Sequence, residues 1–265
     1  MDQATKALQN GADIIVDQLC KEGIPYLFGV CGHGNVGFLD GAYKAGNRIK
    51  TISVHHEQSA GYMADAYWKI RHEPAATFTS CGPGSANLVV ALAAAMMDSS
   101  AFLAITGNVP TDQFNRNPFQ ETGQFYQGDF PSVVRPYVKR SYQPTRVDMV
   151  PLAVRQACQL MRSGRPGPVN LDVPLNVFVE EAEVEVPQPL HHMKQRSPGA
   201  PEALAAAVDM LLAAERPVII VGQGLMLSEA TEALTKFAEA TNIPVVNSPN
   251  GKGSIDDRHA LAFGT

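Results

Sequence analysis

The chain has 265 residues, 45% apolar and 18% charged, with a formal net charge of −5. That balance belongs to a folded globular protein rather than a disordered or fibrous one, and it offers no basic surface for nucleic acid. Taking roughly 100 to 200 residues per domain, two folded units are expected.

Several other classes are disfavoured on simple grounds. No run approaches the ~20 apolar residues of a membrane helix, so no membrane partner is expected. The N-terminus lacks the basic start and continuous apolar core of a secretory signal. Cys20, Cys31, Cys81 and Cys158 lie far apart with no C-x-x-C pair, which argues against a zinc site or a disulfide framework. A reducing cytoplasm fits best, and the arginines of "RSGRPGP" (Arg162 to Arg165) read as a solvated turn rather than a phosphate patch.

In chain order, helix 11–22 precedes the strand "YLFGV" (26–30), then come "KTISV" (50–54), helix 56–70, "AATFTS" (75–80), helix 84–97, "AFLAIT" (101–106), helix 148–162 and "PVNLDV" (168–173). Strand and helix in alternation predict a doubly wound, mainly parallel α/β sheet, with strands apolar throughout because both faces are covered. From about 181 the chain turns Pro-rich and aperiodic. A first domain over 1–185, a linker over 186–200 and an incomplete Rossmann-like α/β domain over 201–265 are predicted. The last segment reads helix 201–214, strand 217–222, helix 228–240 and strand 244–248, with extension of the first sheet as the alternative for its two strands. Two strands and two helices cannot cover a sheet, so the chain is expected to stop inside this domain.

Ligands of such sheets sit beyond the carboxyl ends of the strands, where "GVCGHGN", "HHEQ", "SCGPGS" and "TGNVPT" all fall. His56-Glu57 begins like the zinc-protease pattern H-E-x-x-H, but Ala60 stands where the second histidine is needed. His55 and His56 alternate across a strand end and cannot converge on one metal, so a structural role is the better reading for at least one. Glu57 opens a helix, where a capping carboxylate is the ordinary reading. However, Ala60, Gly61 and Ala64 follow at i+3, i+4 and i+7, a face with almost no side-chain volume that admits a flat ligand or another backbone. "SCGPGSANL" (80–88) is a strand, a glycine turn and a helix start. It suits an anion or a plain turn capped by Ser85, and lacks the G-K-[ST] of a P-loop. His33, between Gly32 and Gly34, has small neighbours and should be reachable. "VGQG" (221–224) reads as a strand-to-helix turn.

Five stretches taken in order, "FGVCGHGN", "HHEQSAGYMADAYWK", "SCGPGSANLVVALAAAMMDSSAFLAITGNVP", "NPFQET" and "GRPGPVNLDVPLNV", resemble the N-terminal pyrimidine-binding domain of thiamine-diphosphate-dependent enzymes, most closely the acetolactate synthase group. "RPVIIVGQG" and "NGKGSIDDRHALAFGT" look like the opening of the family's central domain.

The resemblance implies decarboxylation and carboligation of small 2-oxo acids. It gives Glu57 the hydrogen bond to N1′ of the aminopyrimidine, favouring the 4′-imino form that takes the proton from C2 of the thiazolium, inside an apolar enclosure such as Tyr62, Met63 and nearby alanines. Glu57, His33 and Gln120 are the implied catalytic residues. Gly32, Ser80, Gly82, Pro83, Gly84 and Asn87 would join Glu57 around the cofactor, and Phe119 and Gln120 would border the substrate pocket with His33. The family places the diphosphate and Mg2+ on a G-D-G motif in a C-terminal domain. Here "QGDFPS" (127–132) lacks the second glycine, so no metal ligand is expected in this chain and half a cofactor site is. Such sites form between subunits, implying a homodimer or dimer of dimers, and FAD is a further possible cofactor of the group. Two competing readings are a non-catalytic pyrimidine-domain module and a dinucleotide-binding protein using Gly222 and Gly224.

Overall fold

The computed structural model describes residues 7–121, 129–189 and 199–265. The chain divides into two compact units, Met1–Met193 and Lys194–Thr265. Most of the predicted linker, and Gln127 and Gly128 of "QGDFPS", lie outside the described residues.

The first unit runs β1 (Ala7–Asn10), α1 (Gly11–Lys21), β2 (Tyr26–Gly29), α2 (Val36–Lys44), β3 (Lys50–Ser53), α3 (Glu57–Arg71), β4 (Ala76–Thr79), α4 (Pro83–Asn87) and α5 (Val89–Met97). It continues with β5 (Leu103–Asn108), α6 (Phe130–Val134), β6 (Ser141–Tyr142), α7 (Val150–Arg162), β7 (Val169–Pro174), α8 (Leu175–Val179) and β8 (Glu181–Val184). Six strands form one parallel sheet in the order β3-β2-β4-β5-β7-β6. Every residue of β4, β5 and β7 is buried between two helical layers, including the polar Thr77, Thr79, Thr106, Asn108, Asn170 and Asp172. Side chains alternate across this sheet. Phe28 and Ala104 face the layer holding Ala60, Ala64, Leu88, Ala91 and Leu92, whereas Phe78 meets Phe38 of α2, 6.1 Å away between ring centroids.

The segment predicted as one helix over 84–97 is two, broken at the fully buried Leu88. Outside the main sheet, β1 and β8 pair antiparallel with Ala7 opposite Val184. At their junction with α1 the Asn10 side chain accepts the Asp13 N–H at 2.8 Å, an ordinary helix cap.

The second unit contains α9 (Pro201–Ala213), β9 (Ile219–Val221), α10 (Gln223–Leu227), α11 (Thr231–Thr241) and β10 (Val245–Asn247). Its strands pair with each other in parallel and form a separate sheet, so they do not extend the first one. A small core gathers Val221, Leu234, Ala238, Val245 and Ile255. No helix among the described residues is long and apolar enough to cross a membrane.

Candidate active site

Because the strands of the first sheet are parallel, the turns leaving β2, β3, β4 and β5 lie on one rim. The α3 start is built differently from the simple capping expectation. His56 is the cap: its backbone is extended and its Nδ1 accepts the Gln58 N–H at 3.2 Å. Glu57 is thereby released to turn across the rim, and its Oε2 accepts from Asn87 Nδ2 at 2.9 Å. Among the described residues no donor is recorded for its other oxygen, Oε1. That oxygen lies 3.1 Å from the point where a Cβ on Gly84 would stand, so the missing side chain clears the space the carboxylate occupies.

The small face of α3 settles on the second of its two readings. Ala60 and Ala64 are fully buried against α5, and a Cβ on Gly61 would come within 2.4 Å of Ala91 Cβ. Another backbone fills that face, so a ring does not lie on these alanines. Tyr62 and Met63 of the same helix are 41% and 37% exposed. What Glu57 offers a ligand is the oxygen at its tip, not the face of its helix.

The glycine turn after β4 is tied to its neighbours on both sides. Ser80 Oγ accepts the Gly34 N–H at 3.1 Å, and the absent side chain of Gly32 allows the approach, since a Cβ there would fall 2.5 Å from Ser80 Cβ. Gly82 has φ +58°, and a Cβ on it would meet the Gln120 carbonyl oxygen at 2.4 Å. Pro83 begins α4 with Gly82 as its cap residue. Ser85 is not the cap: its buried hydroxyl donates to the Ser80 carbonyl at 2.6 Å and lies 3.1 Å from Thr79 Oγ1. Gln120 also reaches this turn, its Oε1 accepting from Cys81 Sγ at 3.5 Å, while Phe119 is 80% exposed.

The rim therefore brings together Glu57, Asn87, Gly84, Ser80, Gly82 and Gln120. His33 is exposed and lines a different depression with Asn10, Val36, Gly37, Asp40, Leu175, Phe178 and Val179, which does not include Glu57. Asn35 has a role the sequence did not suggest. It is buried, accepts the Gly32 N–H at 2.9 Å and donates to the Val30 carbonyl at 3.0 Å, bracing the glycine turn. The only hint was an Asn following G-H-G. A second such residue is Asp172, fully buried on β7, whose carboxyl is pushed up to about 6 by burial against the opposing hydrogen bonds of Asn108, Gln143 and Thr106. Among the described residues no three His, Cys, Asp or Glu side chains gather to hold a metal ion, and all four cysteines are free.

A parallel sheet whose rim carries a glycine turn and a half-buried acid at a helix start defines a class that comparison with known proteins identifies. The model for the N-terminal TPP binding domain of thiamine pyrophosphate enzymes matches residues 9–127, and the model for their central domain matches residues 204–265. The chain belongs to the thiamine pyrophosphate enzymes. Among relatives, it is 34% identical to a probable acetolactate synthase large subunit of Methanocaldococcus jannaschii, over 96% of this chain and 42% of that protein. It is equally 34% identical to an acetolactate synthase of Arthrospira platensis (99% and 45%) and to a glyoxylate carboligase of Escherichia coli O157:H7 (97% and 42%). The chain thus spans less than half the length of these relatives.

Proposed function

We propose that this chain supplies the pyrimidine side of a thiamine-diphosphate site in an enzyme that decarboxylates and joins small 2-oxo acids, in the manner of an acetolactate synthase. The observation carrying the reading is the Glu57 carboxylate, held at Oε2 by Asn87, with its Oε1 in the space that Gly84 leaves and no donor to that oxygen among the described residues. A carboxyl with one anchored and one open oxygen fits a ring nitrogen that needs a shared proton. When bound, the cofactor supplies the electron sink that makes loss of CO2 feasible.

The chain's own residues have distinct tasks. Glu57 holds or shares a proton at Oε1. Asn87 fixes the carboxylate's rotation so that this oxygen stays at the mouth. Gly82, Pro83 and Gly84 keep the turn low enough for a flat ring to approach, and Ser80 ties it to Gly32 and Gly34. Gln120 and Phe119 border the substrate side. His33, exposed at the start of α2, is read as an acid or base for the reacting carbonyl, which requires that the substrate extend toward α2.

The resemblance puts the diphosphate and Mg2+ on a G-D-G motif, which the sequence of this chain does not contain. Those groups are assigned to protein outside this chain, across a homodimer or dimer-of-dimers seam, and FAD to the central domain if it is used. The division into domains is read at 186–200, and a cytoplasmic setting is read from the wide sequence spacing of the four cysteines.

The test uses the full-length protein containing this chain. General acid–base catalysis contributes about 10²- to 10⁴-fold. Glu57→Gln should accordingly lower 2-oxo acid decarboxylation at least 100-fold while the urea midpoint stays within error. Unchanged turnover would overturn the assignment.

A further inference from the structure

Beyond the rim, Asp172 is a fully buried carboxyl with three hydrogen-bond donors. It lies in register with Thr106 on the neighbouring β5, so Thr106, Asn108, Asn170 and Asp172 share one face of the sheet. Asp172 Oδ1 accepts from Thr106 Oγ1 at 2.8 Å. Its Oδ2 accepts from Asn108 Nδ2 and from Gln143 Nε2, both at 2.7 Å. Asn108 is the last residue of β5, and its own Oδ1 accepts the Val109 N–H at 2.8 Å. The carboxylate therefore holds the side chain that sets the direction in which the chain leaves the strand.

What leaves there is the segment that ends at Phe119 and Gln120. Its root is fixed a second time by Asn176, which accepts the Thr111 N–H at 3.0 Å. Its far end presses on the glycine turn, with the Gln120 carbonyl against Gly82 and the Gln120 amide on Cys81. Between these ends the chain turns through Asn115 and Asn117, residues at ease with their positive φ, and reaches Gln120, whose φ of +66° is the strained one. Gln120 keeps that conformation while the segment is held at both ends.

We propose that Asp172 is a positioning residue: through Asn108 it fixes the exit of β5 and so holds Gln120 against the turn carrying Cys81 and Gly82. The alternative is that Asp172 merely completes a polar network in the sheet, in which case its loss would loosen the whole unit evenly. The proposal rests on the reading above only for the importance of Gln120. Its test involves no cofactor, so either can fail alone.

The cysteines provide the measurement. Cys81 is 1% exposed beneath Gln120, Cys31 is exposed, and Cys158 is fully buried in the core of α7. The full-length protein containing this chain, without added cofactor, is treated with iodoacetamide at neutral pH and each of these cysteines is followed by peptide mass spectrometry. Relative to Cys31, Cys81 labelling should rise at least tenfold in Asp172→Asn and equally in Asn108→Ala, with Cys158 still protected. Gln143→Ala, which removes the other donor to the same Asp172 oxygen but touches neither Asn108 nor the exit of β5, should leave Cys81 within twofold. The double variant Asp172→Asn with Asn108→Ala should exceed neither single one, the non-additivity of groups acting in series. Cys81 labelling that stays unchanged, or that rises only in parallel with Cys158, would overturn the proposal. Should Asp172→Asn not fold, Asn108→Ala carries the same two outcomes.

Discussion

Two strand-to-helix turns, Ser80–Pro83 in the first unit and Val221–Gln223 in the second, look alike in sequence and differ in what surrounds them. Around the first, a Cβ added to Gly82 would collide with the backbone of Gln120, and one on Gly84 would reach Glu57. Around the second, Gly224 has nothing within 4 Å, and Gly222 only the Ser248 hydroxyl at 3.8 Å. The contrast extends to the polar groups at the strand ends. Asp172 has three donors, whereas Asn247, 6% exposed, leaves its Oδ1 without a partner among the described residues. Glycine in the first turn answers a crowd, and in the second it answers nothing visible in this chain. A glycine-rich pattern alone does not say which.

Substitution should split the two turns, and the largest effect is expected at Gly82. Gly82→Ala combines a left-handed φ with a backbone clash and should cost about 3 kcal/mol in urea unfolding. A loss under 1 kcal/mol would mean the turn is looser than described. Next is the pH response of Asp172. Its folded pKa is raised to about 6 from 3.8, chiefly by burial, with Asp129 adding a smaller push in the same direction. Between these values the folded state keeps a proton that the unfolded state has released. Stability therefore falls as pH rises through that window, by an amount on the order of 3 kcal/mol, and is flat above it. Comparing the native chain with Asp172→Asn from pH 4 to 7 isolates the contribution, and a difference that grows in the opposite sense would contradict it.

Smaller effects follow. Gly61→Ala places a methyl against Ala91 and Leu88 and should cost about 2 kcal/mol by overpacking, read as a lowered melting temperature. Asn87→Ala removes an exposed hydrogen bond to Glu57, so stability should change by less than about 1 kcal/mol. In the full-length protein, turnover should nonetheless drop about tenfold. Equal losses in both measurements would make Asn87 structural. Gly224→Ala, inside α10 with open space around it, should stabilise the second unit by about 0.5 kcal/mol, the opposite sign to Gly82.

Much of the architecture was legible because the main strands are short, largely apolar or β-branched runs alternating with helices, and the carboxyl-end rule placed their exits on one rim. Elements without such a signature were not. The α2 helix carries Gly37 and Gly41, β6 is only two residues long, and the break at Leu88 has no proline or glycine to announce it. At the site, Glu57 stood out by its place before Ala60, Gly61 and Ala64, but what covers that face is a packing fact, and α5 covers it. The Glu57–Asn87 bond joins residues on two different helices, and the Asp172–Asn108 bond joins adjacent strands far apart in the chain. Local periodicity is silent about both.

The antiparallel seam between Ala7–Asn10 and Glu181–Val184 has a bearing on biogenesis. During synthesis the first strand leaves the ribosome long before its partner exists, so it must wait unpaired while the parallel sheet assembles behind it. Closing so large a circuit is entropically the most expensive pairing in the unit. The seam should therefore be the last register set on a nascent chain and the first to be exposed to proteases when folding stalls.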